Sequence, residues 1–92
     1  MKSKVTCIIP FYNENLQLIK ELQILLKVRN IDQIICIDDG STNNTAHWIK
    51  QKSLPVTLVK FKTNKGKAQA VAAGLKKQKT VPFFLWMPIW KT

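Results

Sequence analysis

Ile31-Asp32-Gln33-Ile34-Ile35-Cys36-Ile37 runs directly into Asp38-Asp39-Gly40-Ser41. The β-branched apolar run reads as a strand buried on both faces, the pattern of a parallel sheet. Two adjacent carboxylates close it, and Gly40 supplies the backbone freedom for a turn. Neighbouring carboxylates repel each other, a cost that a ligand or a donor offsets. At the C-terminal end of a parallel strand they can accept hydrogen bonds from a ribose hydroxyl or a base N–H. An ordinary Asp-Gly turn with Ser41 as a helix cap fits the same residues.

The flanking sequence repeats this logic. Val5-Thr6-Cys7-Ile8-Ile9 is a strand stopped by Pro10, after which Asn13 is placed to cap a helix with Glu14 in its first turn. Leu18, Leu22 and Leu25, with Ile19 and Leu26 beside them, form an apolar stripe at helical spacing, and Asn30 ends it. Beyond the acidic turn, Ser41, Thr42 and Asn43 are candidate caps for a helix to about Lys52, with Trp48 and Ile49 as its buried bulk. Leu54 to Phe61 is a third strand, with Pro55 at its start where a missing N–H is tolerated. A third helix follows Gly66, with Ala68, Val71, Ala72 and Leu75 as its apolar row and small residues that would let it lie close against the sheet, and Val81 to Trp86 is a fourth strand. The order β-α-β-α-β-α-β with short connections predicts a three-layer α/β domain around a parallel sheet built from right-handed crossovers.

Ninety-two residues, 46% of them hydrophobic, suffice for one domain with a modest core and exclude a disordered chain. The apolar runs are too short for a membrane span, so a cytoplasmic location is the default expectation. Cys7 and Cys36 fall in buried strands without histidine or cysteine neighbours, which reads as two free thiols. The net charge of +10 is spread along the chain rather than clustered with aromatics, so specific nucleic-acid recognition is not expected. Attraction to an anionic membrane, attraction to a phosphorylated substrate, and a merely solvated lysine-rich surface all fit it.

Only five residues are acidic, and Glu14, Asp38 and Asp39 fall in segments where a strand gives way to a loop. A third such segment is Asn64-Lys65-Gly66-Lys67. Lysines at a helix N-terminus oppose the helix dipole, and a bound anion reverses the sign of that cost. The glycine spacing of a Walker A loop is missing. Tyr12 offers a plane for a base, with Glu14 as an acceptor beside it. His47 stands alone on a helix, and no Ser-His-Asp or Cys-His arrangement can be assembled.

Taken together, the three segments resemble the start of a family 2 glycosyltransferase, an inverting nucleotide-sugar transferase of the GT-A fold. That family opens with Pro-x-Tyr-Asn-Glu, then Asp-Asp-Gly-Ser-x-Asp, then Asn-x-Gly-Lys-x-x-Ala-x-x-x-Gly. The chain carries Pro10, Tyr12, Asn13 and Glu14; then Asp38, Asp39, Gly40, Ser41 and Thr42; then Asn64, Gly66, Lys67, Ala70 and Gly74. The Lys67 segment is most similar to the polyprenyl-phosphate (dolichol-phosphate type) sugar transferases. The resemblance implies a nucleotide pocket in which Pro10, Tyr12 and Glu14 line the base and ribose. Asp38 and Asp39 would contact base and ribose, and Gly66 and Lys67 would lie near the diphosphate. It implies a nucleotide-diphosphate sugar as donor, polyprenyl phosphate as a candidate acceptor and peripheral contact with anionic membrane. It also implies strand order 3-2-1-4. Asn43 stands where many members carry a further acid.

The family continues its fourth strand with Asp-x-Asp, which holds Mg²⁺ or Mn²⁺ on the sugar diphosphate, and finds its general base further on. Here Leu85 is followed by Trp86-Met87-Pro88-Ile89-Trp90-Lys91-Thr92. No metal ligand and no catalytic residue can therefore be assigned in this chain. Trp86-Met87-Pro88 must be encoded TGG-ATG-CCN. Read from the third base of the Trp86 codon this gives Asp, Ala, and Asp if Pro88 is CCG. The same frame continues with Leu or Met, a forced Glu, and Asn or Asp. The expectation is a partial nucleotide-binding domain over residues 1–86, truncated by a frameshift, with residues 87–92 as a non-native tail. Such a chain would bind nucleotide but be inactive alone. A basic nucleic-acid- or membrane-binding module and a non-functional truncated product are the alternatives.

Overall fold

In the computed structural model, residues 5–77 are described in full, and the backbone of 83–85 is described as a strand. Four strands, β1 (Val5–Phe11), β2 (Ile31–Asp38), β3 (Thr57–Lys60) and β4 (Phe83–Leu85), alternate with α1 (Gln17–Leu25), α2 (Thr45–Gln51) and α3 (Lys67–Lys77). They form one parallel sheet, as the α/β alternation predicts, in the order β3-β2-β1-β4 that the family resemblance implies. Residues 81, 82 and 86 of the expected fourth strand, and the tail over 87–92, lie outside the described residues.

Side chains alternate across the sheet with period two. Cys7, Ile9, Phe11, Ile34 and Cys36 face α1 and α2, where Leu18, Ile19, Leu22, Leu25 and Ile49 complete the larger core. Ile8, Ile35 and Ile37 face α3 and meet Ala70. Each fully buried aliphatic side chain contributes about 1.5–3 kcal/mol, so the α1 stripe is a principal source of stability.

The predicted row on α3 is rotated. Its buried residues are Ala70 and Gly74, while Ala68, Ala72 and Leu75 are exposed. A Cβ on Gly74 would lie 2.5 Å from Ile8 Cγ2. Close approach of the helix backbone to β1, rather than apolar volume, selects the packed face, and counting hydrophobic residues misses it.

The start of α1 also differs from expectation. Asn13 has φ +51° and turns away from the helix, which begins only at Gln17 with no acid in its first turn. Asn15 Oδ1 accepts from the Gln17 N–H instead (2.8 Å). The helix ends at Leu25, five residues before Asn30. For α2 the N-cap is Asn44, whose side chain makes no capping bond, while Asn43 Oδ1 accepts from the Thr45 N–H (3.1 Å).

Candidate nucleotide site at the strand ends

The register aligns the strand termini. Phe11 pairs with Asp38 and Asp38 with Lys60, so β1, β2 and β3 end in one row. The ladder continues one step further, with the Asp39 N–H donating to Phe11 O (2.9 Å) and the Phe61 N–H to Asp38 O (2.8 Å). The three sequence motifs therefore leave the sheet at a common edge, where parallel α/β sheets bind ligands.

Two clasps tie these loops together. Asn13 Oδ1 accepts from the backbone N–H of Thr42 (2.8 Å) and of Asn43 (3.2 Å), and the Asn13 N–H donates to Ser41 Oγ (2.8 Å). Next to it, Thr45 Oγ1 and Asn43 Nδ2 both donate to Glu14 O (2.7 and 2.9 Å). Sequence reasoning treated Asn13 as a cap and gave Thr45 no role. The signals for it are the place of Asn13 in the Pro-x-Tyr-Asn-Glu motif and its residue type, which tolerates positive φ.

The second clasp joins the acidic turn to the loop before α3. Asp39 Oδ1 accepts from the Lys65 N–H (2.7 Å), and Oδ2 accepts from the Gly66 N–H (2.9 Å). Asn64 Nδ2 donates to Asp39 O (3.2 Å). Gly40 (φ +76°) makes this contact possible, because a Cβ there would collide with Asn64 N and the Thr63 carbonyl.

Asp38 is placed differently. It is fully buried; Oδ1 accepts from the Ser41 N–H (2.8 Å), and Oδ2 has no hydrogen-bond partner among the described residues. A buried acceptor left unsatisfied costs about 1–3 kcal/mol. Pro10 and Glu14 are buried, Tyr12 and Gly66 are half-buried, and Lys67 is exposed as the first residue of α3. Gly66 has φ +97° and open space where a Cβ would point. The exposed Lys65 ammonium sits 5.1 Å from the centroid of the Phe61 ring.

Among the described residues, no group of three or more His, Cys, Asp or Glu could hold a metal ion. Both cysteines are free and buried, and burial pushes the Cys7 thiol up to about 11 and raises Cys36 further. Cavities of about 460 and 250 Å³ lie between α1 and α2 rather than at the strand ends.

With this geometry in hand, comparison with known proteins is informative. Residues 6–87 match the family described as Glycosyl transferase family 2, and the chain belongs to that family. A dolichyl-phosphate beta-glucosyltransferase of Dictyostelium discoideum is 35% identical over 85 residues, covering 77% of this chain and 26% of that protein. A UDP-N-acetylglucosamine–dolichyl-phosphate N-acetylglucosaminyltransferase of Methanococcus voltae is also 35% identical, covering 76% and 34% respectively. An uncharacterized protein of Methanocaldococcus jannaschii is 37% identical over 73 residues, covering 75% and 31%. The chain thus spans about a quarter to a third of the length of these relatives. In fold it is similar to a mannosyltransferase of Pyrobaculum calidifontis solved in complex with GDP-Man and Mn2+. The TM-score is 0.75 at 24% identity, over 86% of this chain and 25% of that one. No helix among the described residues is long and apolar enough to cross a membrane.

Proposed function

We propose that the strand-end site binds the nucleoside diphosphate part of a sugar nucleotide, and that the chain is the nucleotide-binding portion of a glycosyltransferase acting on an acceptor such as polyprenyl phosphate. The observation that carries this reading is the buried, unpartnered Oδ2 of Asp38 at the shared strand edge. A base N–H donated to it would remove the cost of leaving that acceptor unmet. Tyr12 supplies a plane for the base, with Pro10 and Glu14 forming the wall behind it. Asp39, whose side-chain oxygens are both taken, acts by fixing the loop that carries Gly66 and Lys67. Lys67 then offers its ammonium to the diphosphate. The relatives that act on dolichyl phosphate motivate the acceptor class and a peripheral association with anionic membrane.

The same proposal covers the chain's organisation. Residues 1–86 form the partial nucleotide-binding domain, and 87–92 are residues read in a shifted frame. In this proposal the described residues bind the nucleotide and are given no part in turnover.

Titration calorimetry with UDP and GDP tests the site. Weak binding of one diphosphate is expected, unaffected by Mg²⁺. Asp38→Asn keeps an acceptor for the Ser41 N–H but can turn the unpartnered oxygen into a donor, so affinity should fall at least about tenfold. Unchanged affinity in that variant, or no binding of either diphosphate by the parent, overturns the reading.

A further inference from the structure

The outer face of α1 carries apolar side chains that the core does not use. Leu16, Ile24 and Val28 are 56, 65 and 44% exposed. Leu16, Lys20 and Ile24 follow one another at four-residue intervals, which places these three in one row along the helix. Past Leu25 two tighter turns, from the Lys27 N–H to Ile24 O (3.1 Å) and from the Val28 N–H to Leu25 O (3.0 Å), carry the chain to the exposed Val28.

Cations surround the row. Lys20, Lys27, Arg29 and Lys52 are all exposed, and Lys20 and Lys52 line one cavity together with Leu16 and Ile19. The neighbouring cavity joins Leu16 and Lys20 to the half-buried Trp48. Exposed aliphatic groups, a tryptophan at the rim and lysines whose stems can lie along apolar surface are the chemistry of an interfacial helix. A cationic partner is disfavoured by the four cations, and the acid on α1, Glu21, is only half-exposed. Anionic headgroups complement the charge, while acyl chains accept Leu16, Ile24 and Val28.

We infer that the outer face of α1, with Lys52 and Trp48 of the α2 segment, is a docking surface for an anionic lipid bilayer. This deepens the membrane association proposed above and rests on it, while the nucleotide site stands or falls separately. The row starts at Leu16, two residues beyond Glu14, so docking would hold the strand-end site close to the lipid surface.

The test is co-sedimentation of the full chain with vesicles of phosphatidylcholine alone and with vesicles containing phosphatidylserine. Partitioning is expected only onto the latter, weakening with added salt. Leu16→Glu/Ile24→Glu should lower it at least tenfold, and Lys20→Ala/Lys27→Ala roughly fivefold per cation removed. Lys76→Ala/Lys77→Ala, on α3 across the sheet from the row, should change it little. Circular dichroism and the UDP and GDP titrations should be unaltered in all three, which separates failure of docking from failure of the nucleotide reading. If the acidic double variant aggregates, Ile24→Gln takes its place, with a several-fold loss expected. No partitioning by the parent overturns the inference, as does equal loss in the Lys76/Lys77 variant. A dimer in sedimentation velocity that Ile24→Gln dissolves, without vesicle binding, overturns it in favour of a second copy.

Discussion

The carboxyl of Asp39 holds the backbone N–H of Gly66, 27 residues away, at 2.9 Å, and grips its neighbour Lys65 at 2.7 Å. This pair joins the end of β2 to the start of α3. It also revises the electrostatics of the lysine-rich helix start. An anion does sit at the N-terminal end of α3, but the protein provides one itself, and Lys65 and Lys67 remain exposed around it. An incoming diphosphate would meet a loop already set in place.

Removing that grip should cost more than removing its charge alone. Asp39→Ala leaves two backbone N–H groups without acceptors and is expected to lower stability by about 3 kcal/mol. Asp39→Asn keeps one acceptor and should cost roughly half as much. Urea unfolding followed by circular dichroism ranks the two, and equal losses would show that the hydrogen bonds do not carry the effect.

Two glycines of positive φ should respond unequally to alanine. At Gly40 the new Cβ meets backbone atoms of Thr63 and Asn64 that cannot withdraw without breaking the contact between the loops. A loss of several kcal/mol or failure to fold is expected. At Gly66 nothing lies within 4 Å, so only the backbone strain remains, about 1–2 kcal/mol. Thermal unfolding of the two variants provides the comparison, and a reversed order would contradict the interlocked loops.

The Asn13 clasp separates torsion from hydrogen bonding. Asn13→Gly tolerates φ +51° but loses the acceptor for Thr42 and Asn43, for an expected cost of roughly 1 kcal/mol. Asn13→Ala loses both and should cost roughly 2 kcal/mol. If alanine is no worse than glycine by denaturant midpoint, the positive φ is not enforced by the fold.

The alternation of strands and helices, the α1 stripe of Leu18, Leu22 and Leu25, and the clustering of the three motifs were legible because each depends on local periodicity. The site's internal wiring was not. Whether Asp38 or Asp39 keeps an oxygen without a partner depends on where the loop holding Lys65 and Gly66 passes, a contact between segments 26 and 27 residues apart. The packed face of α3 escaped for a related reason. Gly74 adds nothing to a hydrophobic pattern, yet it is the residue that lets the helix approach Ile8.

Both buried thiols tie stability to alkaline pH. The Cys7 pKa is raised from 9.0 to about 11 by desolvation, and burial raises Cys36 in the same direction, with Cys7 adding to it. The unfolded chain therefore loses these protons first as pH rises. Stability is fully present below about pH 9 and declines towards pH 11, by up to about 3 kcal/mol for Cys7. Cys7→Ala should flatten that decline in urea titrations at pH 8, 9, 10 and 11. An equally steep decline in the variant would assign it to other groups.

The last prediction concerns the gene. In the frame that begins on the third base of the Trp86 codon, Asp, Ala and Glu follow Leu85 whatever synonymous codons are used. Trp86, Met87 and Trp90 leave no freedom at the bases that fix them. The second Asp of an Asp-Ala-Asp motif requires Pro88 to be CCG. We expect that codon, and an open frame beyond it encoding further glycosyltransferase sequence. Restoring the frame should then produce a protein that turns over a sugar nucleotide with a dependence on added Mg²⁺ or Mn²⁺. Sequencing the gene through this region decides the matter. Any other proline codon, or a stop immediately downstream in the shifted frame, removes the basis for reading residues 87–92 as out of frame.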